Sequence, residues 1–204
     1  MKKPPHELLY VAAETNDCDK LKELLERGVD ASFVDEGSGQ TTLHRAARHT
    51  NALKLLLENT NLDLTVKARD GRTPLMIAAY WGNNSGVSML LEKSGVDQVC
   101  AVDSSFSTAL HYAAERGNAS TVRLLLEANE SAKDTVDGGR NTPSHKAAIG
   151  GHVDTIKALL DFEADVEIRN CDGMTAKECA AWMADGDDSK CFQDCVKLLQ
   201  ERES

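Results

Sequence analysis

The chain is poor in aromatic residues, which make up 4% of its 204 positions, and holds only four prolines. So few rings leave the packing of any core to leucine and alanine. Basic residues are also in deficit, 23 Lys and Arg against 33 Asp and Glu, for a formal net charge of −10. Nucleic acid is thereby disfavoured as a main partner, because phosphate binding requires a dense Lys/Arg surface. No apolar run approaches the length needed to cross a bilayer, and Met1 to His6 lead into an amphipathic segment rather than a signal-peptide core. A cytoplasmic protein is expected, with the nucleus as the alternative and neither membrane nor secretion.

Six cysteines, Cys18, Cys100, Cys171, Cys179, Cys191 and Cys195, lack the spacing of a disulfide scaffold and are read as reduced thiols. Cys191 and Cys195 are four apart on a predicted helix, but neither they nor their neighbours follow a zinc-finger spacing. Cys179 and Cys195 fall where other parts of the chain place apolar residues, so packing explains them. No metal or other cofactor is expected. Catalytic signatures such as Gly-x-Ser-x-Gly or His-Glu-x-x-His are absent, as is a glycine-rich phosphate loop, and no enzyme activity is expected. The acidic segment Asp185 to Ser189 lacks the terminal Glu of a calcium loop.

What the chain does have is repetition. Thr73-Pro74-Leu75-Met76-Ile77-Ala78-Ala79 recurs as Thr108 to Ala114 and as Thr142 to Ala148, with looser copies beginning at Glu7, Thr41 and Thr175. A leucine-rich stretch follows each copy, for example Leu53 to Leu57 and Val122 to Leu126. A period of a few tens of residues with helical patterning inside it marks stacked units rather than one globular core. Each motif residue has a local reason. Thr142 caps a helix, Pro143 occupies the first helical position where its missing N–H is harmless, and His145 reaches back to the cap. His44 and His111 hold the same position and take the same structural role. The leucines at i, i+3 and i+4 form the buried stripe of a second helix. Asp70-Gly71, Asp137-Gly138-Gly139 and Asp172-Gly173 mark turns between units. Three Asn-x-Ser triplets, beginning at Asn83, Asn118 and Asn129, are read as turn residues.

On the Thr-Pro-x-His-x-Ala-Ala strings and their Leu-rich partners the chain resembles the ankyrin-repeat family over nearly its whole length. The resemblance implies a mainly α fold, an ankyrin-repeat α-solenoid of helix-turn-helix units joined by β-hairpin-like loops. A single domain over 1–204 is expected, with approximate units 4–36, 37–68, 69–103, 104–137, 138–170 and 171–204 and the outer two acting as caps. Unit two is two residues short between its helices, which predicts a tight or irregular turn at Arg48 and His49. Unit six is long there, thirteen residues from Trp182 to Asp194 against seven from Ile149 to Thr155, and Asp185 to Ser189 is expected to form an exposed loop. A chain built only of repeats would leave no room for a catalytic domain.

The resemblance also implies a protein or peptide partner bound in a concave groove lined by hairpin tips and first helices. Groove positions at the hairpins are Arg69, Asp70, Arg72, Ser105, Arg140 and Asn141. After the paired alanines they are Arg48, His49, Tyr80, Trp81, Glu115, Arg116 and Trp182. Both tryptophans and a series of basic residues thus fall on one surface of an acidic protein, and Trp, Tyr and Arg are the types enriched at binding hot spots. A partner segment with acidic and apolar side chains is expected. Acidic Glu23, Glu26, Glu58, Glu92, Glu127, Asp161 and Glu163 are assigned to the opposite face. The role is that of adaptor, scaffold or inhibitor, and the chain is expected to be monomeric. A self-assembling structural protein is the alternative, which size-exclusion chromatography with light scattering separates, and after it comes a metal-dependent site in the irregular last repeat using Cys191 or His152, which metal analysis of the purified protein separates.

Overall fold

The computed structural model describes residues 3–186 and 190–201. Helices come in pairs, α1 (Pro5–Glu14) with α2 (Cys18–Glu26), α3 (Thr42–Ala46) with α4 (Thr50–Asn59), and α5 (Pro74–Tyr80) with α6 (Asn84–Ser94). They continue as α7 (Ala109–Glu115) with α8 (Ala119–Ala128), α9 (Pro143–Ile149) with α10 (Val153–Asp161), and α11 (Ala176–Gly186) with α12 (Lys190–Gln200). First helices pack on first helices and second helices on second, so the molecule is two parallel layers advancing unit by unit. Between them lies one continuous core of Leu, Ala, Val and Ile, including Leu9, Leu21, Leu53, Leu75, Leu110, Leu125 and Leu159. Cys195 joins it, and burial pushes its thiol up to about 12.

The first helices begin as their sequences predict. Thr41, Thr108 and Thr142 each accept a hydrogen bond from the backbone N–H of the histidine three residues on, and the histidine Nδ1 accepts the threonine N–H at 3.1–3.2 Å. Met76 substitutes its sulfur in unit three, and Glu178 its carboxylate in unit six. Since Nδ1 accepts, Nε2 carries the proton and donates across to the next unit. His44 reaches Arg72 O, His111 reaches Asn141 O and His145 reaches Met174 O, each at 2.9 Å.

Among the described residues the connecting hairpins contain no strands, only an isolated bridge between Val34 and Thr41. Asp103, Asp137 and Asn170 close the turns by accepting backbone N–H groups from two and four residues ahead. Adjacent tips are hydrogen-bonded in series: Arg69 N–H to Ser38 O, Ser104 to Asp70, Gly138 to Ser105 and Cys171 to Gly139. Gly71 is required in this ladder. It sits at φ +81°, and a Cβ there would lie 2.7 Å from the backbone nitrogen of Ser104. Gly71→Ala is expected to cost about 2–3 kcal/mol, left-handed strain plus a backbone clash. Gly28→Ala, at φ +72° with nothing within 4 Å, should cost about half as much. Equal shifts in thermal midpoint for the two variants would show that the close approach carries no energy.

The irregular units behave differently from each other. The short second unit gives a five-residue α3 and a tight turn in which the His49 N–H donates to Ala46 O at 2.8 Å, as expected. In the sixth unit the extra residues lengthen α11 to eleven, so Asp185 and Gly186 are helical rather than part of a loop. The Ala-Ala-Trp-Met-Ala run after Cys179 favours continuation of the helix. The remainder of the expected acidic loop, 187–189, lies outside the described residues.

Candidate functional site

Side chains from the ends of the first helices meet those from the hairpin tips along one face. Its centre is a row of arginines and rings. The Arg48 guanidinium lies over the Trp81 ring at 4.2 Å, Tyr80 and Trp81 meet edge to face at 5.6 Å, and Arg116 lies over Tyr80 at 4.9 Å. Tyr80 also meets Tyr112 edge to face at 6.0 Å. Units two, three and four each contribute, so the row exists only because the units stack. Trp81 remains 49% exposed. Arg48 Nε is buried without a hydrogen-bond partner among the described residues, a desolvation cost of about 1–3 kcal/mol that the contact with the indole face offsets in part.

Flanking groups are matched within the protein. Arg45 donates to Tyr10 Oη at 2.6 Å and to Glu14 at 2.8 Å. The Arg72 guanidinium pairs with Asp70 in its own hairpin. Tyr112 Oη donates to Asp103 Oδ2, and burial, then this bond to a carboxylate, push the phenol well above its ordinary value. Lys146 pairs with Asp137 at 2.7 Å. Burial alone would raise that carboxyl, but Lys146 and the turn N–H groups outweigh it and hold it low.

Several residues assigned to the groove by spacing serve the scaffold. His49 sits at the N-cap of α4 with Nε2 3.0 Å from Glu14 O, the place that Asn83, Asn118 and His152 take in their own units. Counting forward from the alanines is two residues out of step here, because the short turn omits the residues equivalent to Arg116 and Gly117. Asn141 bonds Asp137 through its amide and receives His111 through its carbonyl. Asp70, besides holding Arg72, offers its carbonyl to Ser104, while Ser105 accepts Gly138 N–H and Glu115 accepts His152. Arg69 and Arg140 are exposed at hairpin tips, Arg140 at φ +57°. Trp182 is 68% exposed on α11, and no ring contact or cation–π contact joins it or Arg140 to the central row among the described residues.

Sequence reasoning missed Arg45, Tyr112 and Lys146, the variable residue between the motif histidine and the paired alanines. The signal was present, because Arg45 is three residues before Arg48 and Tyr112 four before Arg116, on the same helix face. The seven acidic residues assigned to the opposite face are all exposed on or just after second helices, and Glu23, Glu26, Glu58 and Asp161 are ion-paired there.

The nine described arginines divide cleanly. Arg27, Arg45, Arg72, Arg123 and Arg169 have carboxylate partners. Arg48, Arg69, Arg116 and Arg140 have no ion-pair partner among the described residues, and all four lie on the hairpin and first-helix face.

Two helical layers, capping threonines and hydrogen-bonded hairpin tips define an α-solenoid of helix-turn-helix units. The family follows from comparison: a family model for ankyrin repeats (3 copies) matches residues 9–103 and 110–204, and the chain belongs to the ankyrin-repeat family. It is 36% identical over 112 residues to neurogenic locus notch homolog protein 1 of Cricetulus griseus, and 35% to proteins 1 and 2 of that name from Homo sapiens. Each match covers 54% of this chain but only 4% of the relative's length. Ankyrin repeats are in general protein-interaction modules and generally non-catalytic. Among the described residues no helix is long and apolar enough to cross a membrane.

Proposed function

We propose that this protein is a non-catalytic interaction module that binds a protein segment bearing acidic and apolar side chains along its concave face. The observation carrying this is the division of the arginines. On a chain of net charge −10, the described arginines left without a carboxylate all lie on the hairpin and first-helix face, and one of them, Arg48, lies over the exposed Trp81. Arg48, Arg69 and Arg116 orient the partner, and Tyr80 and Trp81 supply the apolar contact. Arg72, tied to Asp70, contributes less. Adaptor, scaffold and inhibitor are all roles such a surface serves, in the cytosol or nucleus where six thiols stay reduced.

Affinity capture of a partner from native lysate, followed by measured binding of that purified partner, tests the reading. Trp81→Ala with Arg116→Ala should weaken binding by at least about thirtyfold, since buried aromatic and arginine contacts dominate interface energies. Association should also slow as salt rises. An unchanged affinity in the double variant would sink the proposal.

A further inference from the structure

We infer that the row Arg48, Trp81, Tyr80, Arg116 reads a specific pattern, two carboxylates about four residues apart in an extended partner segment with an apolar side chain midway between them. The inference rests on the concave-face reading above and specifies what that face recognises.

Three features carry it. The two guanidinium groups end the row and the two rings form its middle, joined by steps of 4.2, 5.6 and 4.9 Å. Each guanidinium lies over a ring, and although Arg48 Nε is buried, its two Nη groups and the exposed Arg116 stay available for the two-pronged contact a carboxylate makes. The adjoining cations Arg45, Arg72 and Lys146 are matched by Glu14, Asp70 and Asp137, so on the first helices the unmatched charge stands at the two ends of the row, with Arg69 and Arg140 further out at hairpin tips.

An extended chain rises about 3.3 Å per residue and presents alternate side chains to one face. Carboxylates two residues apart would leave no side chain between them to meet the rings. Six apart, at about 20 Å, they would overrun the path between the guanidinium groups. A separation of four, about 13 Å, is the longest same-face spacing that the three steps can span, and its middle same-face residue falls to Tyr80 and the half-exposed Trp81.

Selection from a displayed library of short random peptides tests this without a known partner. The bait is the full chain with Trp182→Phe, which leaves Trp81 as its one tryptophan. Parallel baits add Arg48→Ala with Arg116→Ala, or Arg48→Lys with Arg116→Lys, each first shown to melt like the parent. Enriched peptides are expected to carry acidic residues about four apart around an apolar one. As synthetic peptides they should quench Trp81 and lose about tenfold or more in affinity against the double alanine bait, with partial rescue by lysine. Peptides that quench Trp81 but lack the acidic pair would overturn the inference while leaving the concave-face reading intact. Peptides that neither quench Trp81 nor respond to the arginine changes would overturn both, and no enrichment over an unrelated bait would overturn the inference.

Discussion

A His111→Ala substitution is expected to lower the unfolding free energy by about 3–5 kcal/mol, a large share of the 5–15 kcal/mol typical of folded proteins. His111 is buried, and its ring is used at both nitrogens. Nδ1 accepts the Thr108 N–H at 3.2 Å, and Nε2 donates to Asn141 O at 2.9 Å. Truncation leaves the buried Thr108 N–H unpaired, removes one of the two hydrogen bonds that Asn141 O accepts, and opens a cavity between two first helices. Because the Asn141 bond joins unit four to unit five, the damage falls on the interface that holds consecutive units together. Urea denaturation followed by circular dichroism measures the loss, and a broadened transition would report partial uncoupling of the C-terminal units. His152→Ala is the comparison. His152 bonds one carbonyl, Glu115 O, and is only partly buried, so about 1 kcal/mol is expected there. Similar losses for the two histidines would contradict the structural role assigned to the motif position.

Mild acid should destabilise the chain more steeply than its surface charges would. Burial holds the imidazoles of His44, His111 and His145 below the ordinary value of 6.5, against the smaller opposing effect of their carbonyl partners. The folded state therefore binds fewer protons than the unfolded state once pH falls to about 6.5, and stability falls with pH from there down through the folded values. Their contribution is fully present above the unfolded value. Each histidine protonated only when unfolded adds about 1.4 kcal/mol per pH unit to the slope. Protonation at Nδ1 also removes the acceptor for the capping N–H, so charging and loss of the cap coincide. Melting curves between neutral pH and about pH 5 should show a steep drop. His111→Gln should flatten it. A flat stability profile across that range would refute the account.

Most of the architecture was legible because its determinants are local. A threonine three residues before a histidine closes a cap within a single turn, and Asp-Gly at a fixed offset closes the hairpin. Leucines at helical spacing declare a buried face wherever they occur. The same locality explains where reading failed. In unit two the alanine register assigned His49 to the groove, but removing two residues from a turn shifts every later position, and His49 landed at a helix N-cap. In unit six a charged, glycine-containing insertion suggested a loop, yet a helix already running through Ala180, Ala181 and Trp182 took up Asp185 and Gly186. The candidate site was half legible. Tyr80, Trp81, Arg48 and Arg116 were assigned to it by spacing, whereas Arg45 and Tyr112, on the same helix face, were not.

By itself the sequence determined the repeating unit, its caps, its turns and the face formed by hairpins and first helices, since these depend on residues a few positions apart. The tertiary structure alone decided which cations that face presents. For Arg45 and Arg48 the outcome depends on distances of a few ångströms between side chains some thirty residues apart in the chain. Arg45 finds Glu14 in the preceding unit, while Arg48, three residues later, lies over the face of Trp81 with no carboxylate partner among the described residues.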